Sequence, residues 1–177
     1  MSSRKKCVFF DRDGIVNVSP GPGYVERPED FHIIPAFMDC ARTAERLGFI
    51  TAVITNQRGV ARGIMTLETL KEIHTMLEKK LADNSIRLAA IYACTHERDT
   101  CTCRKPQPGM LLQAAREHNI DLASSWMIGD SESDVEAGRR AGCRTIRVCP
   151  DDVETAADFR VADMPELAVK LKEFILC

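Results

Sequence analysis

Short apolar runs alternate along this chain with longer segments whose apolar positions recur at helical spacing. The runs at 7–10, 49–54, 88–93, 126–128 and 145–149 are each long enough for a buried strand and far too short to span a membrane. Between them, Ala36 to Leu47 carries a helical stripe that Gly48 should stop. Thr66 is placed to cap a helix running to about Ala82, with Glu68 and Glu72 near its positive end. Further helices are expected over Pro108–His118, with proline in the first turn, and over Glu132–Ala141. A terminal helix is expected from Pro165 to Ile175, and Val16 to Pro35 reads as a long loop rich in proline and glycine. This β-α-β-α alternation predicts an α/β fold: a three-layer, Rossmann-like sandwich with a mostly parallel sheet covered by helices on both faces. With no repeat or low-complexity linker visible, residues 1–177 are expected to form one domain.

Composition narrows the class without changing that picture. Apolar content of 45% and charged content of 28% are ordinary for a globular protein. The net charge of −2, with two Tyr and one Trp and no basic run beyond Arg4-Lys5-Lys6, argues against a nucleic-acid surface. Asp11 cuts the first apolar run after four residues, so it does not read as a secretory leader, and no segment is long enough for a transmembrane helix. Three of the eight cysteines crowd into ten residues beside a histidine, which points to a bound metal in a reducing compartment rather than to disulfides. The expectation is a cytoplasmic monomer with no membrane or nucleic-acid partner. Cys7, Cys40, Cys143, Cys149 and Cys177 carry no chemistry that the sequence reveals.

The candidate chemistry gathers where the apparent strands end. The first run stops at Asp11-Arg12-Asp13-Gly14, two carboxylates one residue apart that are costly to desolvate without a cation nearby. Ligands of open α/β sheets bind at such carboxyl ends, and Gly14 lets the chain turn sharply there. The second strand ends in Thr55-Asn56-Gln57-Arg58-Gly59, whose hydroxyl, amide and turn N–H groups suit an anion such as phosphate. After the third come Cys94, His96, Cys101 and Cys103, a Cys₃His set that suits a closed, structural zinc site in a small loop over 94–103. That loop should deliver Arg104 and Lys105, the lysine to a phosphoryl group and its neighbouring carboxylates. The fourth strand opens into Gly129-Asp130-Ser131-Glu132-Ser133-Asp134. Some of these residues should cap the following helix; the others could join Asp11 and Asp13 around Mg²⁺, which takes few protein oxygens and keeps room for substrate phosphate.

Taken as an ordered set, FFDRDGIVN, GYVERPEDF, ITNQRGVARG, CTHERDTCTCRKPQPGM and MIGDSESDVEAG resemble the haloacid dehalogenase-like (HAD) phosphatases. More closely they resemble the D-glycero-D-manno-heptose-1,7-bisphosphate 7-phosphatase family and the related histidinol-phosphatases. The resemblance spans roughly residues 7 to 149 and implies a HAD-like fold without a large cap domain. It implies that Asp11 is the nucleophile and Asp13 the general acid and base, with Mg²⁺ held by Asp11, the backbone carbonyl of Asp13 and Asp130. Thr55, Asn56 and Lys105 would stabilise the phosphoryl group, Asp134 would support them, and Arg104 would reach the distal phosphate of a small phosphorylated sugar. Arg12, Gln57, Arg58 and Ser131 fall in the same phosphate- and substrate-contacting group, although the relatives often carry Lys or Arg where this chain has Ser131. The implied activity is hydrolysis of the 7-phosphate of the heptose bisphosphate, in the supply of lipopolysaccharide precursors. Histidinol phosphate or another small phosphorylated metabolite is the alternative, and a 3′-phosphorylated nucleic acid a more distant one.

Overall fold

The computed structural model describes residues 4–177. Its centre is a six-stranded sheet made of β1 (Lys6–Phe10), β2 (Phe49–Asn56), β3 (Leu88–Cys94), β4 (Trp126–Gly129), β5 (Arg144–Val148) and β6 (Phe159–Val161). The order across the sheet is β3-β2-β1-β4-β5-β6, and every pairing is parallel. Parallel neighbours need crossovers, and five helices supply the covering layers: α1 (Pro35–Arg46), α2 (Leu67–Asp83), α3 (Gly109–His118), α4 (Glu132–Ala141) and α5 (Met164–Leu176).

The two-residue period of β1 sorts the core. Val8 and Phe10 pack with Phe37 and Ala41 of α1, Ile73 and Leu77 of α2 and Leu167 and Leu171 of α5. Cys7 and Phe9 face the other way, against Met110 and Leu111 of α3 and Ala137 of α4. The Phe10 and Phe37 rings meet edge-on, 5.2 Å apart, which seats α1 directly under the strand that carries Asp11. Each such fully buried side chain contributes about 1.5–3 kcal/mol of burial free energy, so the strand ends above them are firmly placed.

The chain runs outward from β1 through β2 to β3, then returns to the other side of β1 as β4 and continues through β5 to β6. The switch point therefore falls between β1 and β4, and a crevice opens there at the carboxyl ends of the strands. The 16–35 segment is the long loop that the sequence predicts, with one 3-10 turn at Pro28–Asp30, and it is pinned to the core: Val18 N donates to His32 O, Ile34 N donates to Val16 O, and Val25 and Phe31 are buried. One feature departs from the sequence expectation. The tail contributes a three-residue edge strand, β6, where only an amphipathic pattern was visible.

Candidate functional site

Asp11 leaves β1 with its backbone N–H donating to Ile128 O of β4, so its position is shared by the two strands at the switch point. Its Oδ1 accepts a hydrogen bond from Lys105 Nζ at 2.6 Å. The same ammonium lies 2.5 Å from Asp134 Oδ1 and donates to Ile54 O at 3.0 Å. Lys105 arrives from far along the chain and is gripped by its own backbone: Asn56 Oδ1 accepts from Lys105 N while Asn56 Nδ2 donates to Lys105 O, both at 3.1 Å. Asn56 thus acts as a clamp at the end of β2.

Asp134 belongs to the capping box of α4. Ser131 is the N-cap, and its backbone N–H and hydroxyl both donate to Asp134 Oδ2, at 3.1 and 2.6 Å. Gly129 is demanded by this approach, since a Cβ there would lie 2.3 Å from the Asp134 side chain. Gly14 is demanded twice, by its φ of +91° and because a Cβ would fall 2.2 Å from Asp130 Oδ2.

Asp13 is held by donors alone. Arg12 Nη2 donates to both its carboxylate oxygens at 3.1 Å, Asn17 Nδ2 donates to Oδ1 at 3.0 Å and Gln57 Nε2 donates to Oδ2 at 2.9 Å. Gln57 Nε2 also donates to Thr55 Oγ1 at 2.8 Å, which turns the Thr55 hydroxyl hydrogen toward other acceptors.

Asp11, Asp13, Thr55, Asn56, Lys105, Asp130 and Ser131 line one open cavity of about 230 Å³, together with Ser19 and Ser133, which sequence reasoning missed. A larger neighbouring hollow shares Asn56, Lys105 and Ser133 and extends over Arg98, Arg104 and Gln107. Arg104 Nη1 is buried there without a partner, a free donor for an anion. The other expected contact residues stand behind the walls. Arg12 and Gln57 are fully buried against Asp13, and Asp134 is buried against Lys105. Arg58 sits beside the Tyr24 hydroxyl and 3.6 Å from Glu97 on the cysteine-rich loop. Ser131, on the cavity wall itself, has its hydroxyl committed to Asp134 and Ser133.

Charge dominates this site. Were all four ionised, Asp11, Asp13, Asp130 and Asp134 would outnumber by two the cations paired with them, Arg12 against Asp13 and Lys105 against Asp11 and Asp134. Burial, then the neighbouring Asp134, pushes Asp11 up to about 8 despite the opposing pull of Lys105. The same two causes push Asp130 up to about 6. Burial works against the Lys105 ammonium, but Asp11 and Asp134 outweigh it and its pKa rises. Carboxylates that resist ionisation when left to themselves, with an excess charge equal to that of a divalent cation, fit an Mg²⁺ site. Asp11, Asp130 and Asp134 offer oxygens within 4.8 Å of one another, but Asp134 is already engaged by Lys105 and Ser131.

The cysteine-rich loop presents a second donor set. The Sγ atoms of Cys94, Cys101 and Cys103 lie 3.1, 3.3 and 3.5 Å apart, and His96 Nδ1 is 3.3 Å from Cys103 Sγ and 3.6 Å from Cys94 Sγ. Burial opposes the Cys101 thiolate, yet hydrogen bonds from the Cys103 thiol and from the backbone N–H groups of Arg104 and Cys103 bring it down to about 6. This convergent Cys₃His set fits a closed tetrahedral zinc site. Gly109 N donates to Thr102 O, and a Cβ at Gly109 would strike that oxygen at 2.3 Å, so the loop folds tightly onto the start of α3. Cys101→Ser should lower zinc content and melting temperature, and should raise KM more than it lowers kcat. Unchanged zinc content with an unchanged melting temperature would remove the structural role.

Among the described residues, no helix is long and apolar enough to cross a membrane.

Comparison with known proteins places this geometry in a family. A HAD-hydrolase-like family model matches residues 102–168. The D-glycero-beta-D-manno-heptose-1,7-bisphosphate 7-phosphatase of Yersinia pestis is 38% identical over 97% of this chain and 99% of its own. The enzyme of the same name from Helicobacter pylori is 42% identical over 77% of this chain and 79% of its own. The crystal structure of D,D-heptose 1,7-bisphosphate phosphatase from B. bronchiseptica, complexed with magnesium and phosphate, superposes with a TM-score of 0.83 at 30% identity, covering 96% of this chain and 99% of that one. With relatives this similar along nearly its whole length, the chain belongs to the D-glycero-beta-D-manno-heptose-1,7-bisphosphate 7-phosphatase family.

Proposed function

We propose that this protein is an Mg²⁺-dependent phosphatase that removes the 7-phosphate of D-glycero-D-manno-heptose 1,7-bisphosphate, on the route to lipopolysaccharide precursors. The observation that carries this reading is the meeting of Asp11, Asp13 and Lys105 at one cavity, in a chain whose close relatives bear that activity in their names. The chain works as one domain, a cytoplasmic monomer in which the zinc loop, not a cap, shapes the pocket.

Asp11 is the nucleophile. Its Oδ1 is held by Lys105, which leaves Oδ2 to attack phosphorus. As the new O–P bond forms, the bond from phosphorus to the sugar oxygen breaks and its electron pair leaves with that oxygen. Asp13, whose side chain retains 24% exposure on the same cavity, gives the oxygen a proton. Asp13 then takes a proton from water as it attacks the aspartyl phosphate, which frees phosphate and restores Asp11. Thr55 and Asn56 offer donors to the phosphoryl oxygens, the Lys105 ammonium adds positive charge beside them, and Arg104 takes the distal phosphate from the adjoining hollow. The carboxylates of Asp11 and Asp130, with the Asp13 carbonyl, would hold Mg²⁺, which supplies the two missing positive charges.

The decisive measurement is phosphate release from the heptose bisphosphate, histidinol phosphate and a short 3′-phosphorylated oligonucleotide. A hundredfold preference in kcat/KM for the bisphosphate, about 2.7 kcal/mol in transition-state binding, is expected. Comparable rates on all three substrates would overturn the substrate assignment and leave the phosphatase chemistry standing.

Metal binding should also show in stability. In the metal-free protein the raised values of Asp11 (about 8) and Asp130 (about 6) mean that the folded state holds protons an unfolded chain would release. The stability that these two carboxylates contribute should therefore be lost as pH rises from about 4 through 8. Mg²⁺ competes with those protons, so the rise in melting temperature that it produces should be larger at pH 8 than at pH 5. An equal rise at both pH values would contradict binding at these carboxylates.

A further inference from the structure

Arg12 sits in sequence between two cavity-lining aspartates, yet its side chain is completely buried and turned away from the cavity. The guanidinium is enclosed on three sides. Toward the site, its Nη2 and Nε donate to the Asp13 carboxylate at 3.1 to 3.3 Å. On one flank it lies 5.7 Å from the centroid of the Phe31 ring. Its Nη1 points at His74 Nε2, 3.4 Å away on α2.

We propose that His74 is a positioning residue: by accepting from Arg12 it fixes the Asp13 carboxyl group for proton exchange with the leaving-group oxygen. The proposal rests on the reading of Asp13 as the acid and base of a phosphatase.

Five N–H groups of a buried guanidinium need acceptors, and each one left bare is costly. Asp13 satisfies Nε and Nη2; His74 supplies an acceptor for Nη1. A ring nitrogen that faces a guanidinium has to be unprotonated, which places the imidazole hydrogen on Nδ1. Burial, then the Arg12 charge, holds the imidazole down to about 4, so it remains an acceptor at neutral pH. Arg12 cannot be deprotonated to escape, so without His74 it would have reason to rotate in search of a partner. Asp13 would keep Asn17 and Gln57, one on each oxygen, and lose only the orientation that Arg12 imposes across both. Proton transfer to a leaving group is sensitive to such misplacement, whereas binding of the phosphoryl group is not.

Leaving-group dependence tests this directly. His74→Phe keeps an aromatic ring but removes the acceptor; His74→Leu makes the same comparison with a smaller side chain if the larger ring fails to seat. His74→Gln offers Oε1 near the place of Nε2. Pre-steady-state phosphoryl transfer is measured, with Mg²⁺ present, from the heptose bisphosphate and from p-nitrophenyl phosphate, whose anion departs without a proton. Loss of the acceptor should slow transfer from the sugar phosphate about tenfold with KM within about twofold, a fraction of the full value of general acid catalysis. The p-nitrophenolate burst should stay within about twofold of the native protein, and His74→Gln should recover most of the sugar-phosphate rate. Equal slowing with both leaving groups, or no recovery in folded His74→Gln, would overturn the proposal. Failure of the native protein to act on the heptose bisphosphate would instead overturn the substrate assignment, and the same comparison would then be run with histidinol phosphate as the alkyl substrate.

Discussion

Asp11→Asn should reduce phosphate release by at least about 10⁴-fold, close to 5.5 kcal/mol in the barrier, while leaving the fold intact. The amide oxygen can still accept from Lys105 Nζ, and the backbone bond to Ile128 is untouched, so the geometry survives. What disappears is the anionic oxygen that must attack phosphorus. A purely electrostatic role would give a smaller loss and would leave labelled phosphate unattached to the native protein. The stability of the same variant carries a second signature. In the metal-free native protein, Asp11 ionises only near pH 8, because burial and then Asp134 oppose its charge. A group whose folded pKa is raised withdraws stability as pH climbs toward that value. The neutral amide has nothing to lose, so with Mg²⁺ chelated the variant should melt at a similar temperature to native at pH 5 and at a higher one at pH 9. Residual turnover above a tenth of native would end the covalent mechanism.

Much of this site was visible before any coordinates, because its parts follow strand ends and strand ends announce themselves. Apolar runs that stop at Asp11, Thr55 and Gly129 mark where the parallel sheet opens, and short-range spacing is enough to suggest zinc at Cys94, His96, Cys101 and Cys103. Direction is what a sequence conceals. Arg12 lies beside two aspartates that face the cavity, and only the turn at Gly14, with the packing of Phe31 and His74, sends its side chain inward. Gln57 and Asn56 are adjacent and chemically alike, yet one braces Asp13 while the other clamps Lys105. His74 gave no signal at all, since a single polar residue on an amphipathic helix looks like any surface position. The edge strand Phe159–Val161 was hidden for a related reason: three residues give no period, and pairing with β5 makes them a strand. Ser131 and Asp134 carried two readings in sequence, cap or ligand, and the observed capping box shows one pair of side chains starting α4 while its Asp134 member steadies Lys105.

That shared duty makes Lys105→Met the most informative change after the nucleophile. The variant keeps most of the aliphatic stem and removes the ammonium that lies between Asp11 and Asp134. Two consequences should separate. Activity should fall about 10²–10³-fold, the usual loss when one preorganised donor to a developing charge is removed. Stability should fall by about 3–5 kcal/mol, because Asp134, at 1% side-chain exposure, is left as a buried carboxylate without a cation. Adding Asp134→Asn distinguishes the causes. The amide can still accept from the Ser131 backbone and needs no counter-charge, so the double variant should regain most of the lost stability in urea unfolding. It should not regain activity, since nothing in it replaces the positive charge beside the transferring phosphoryl group. Recovery of kcat to within tenfold of native would mean that Lys105 serves the fold through Asp134 and leaves the phosphoryl group to other donors.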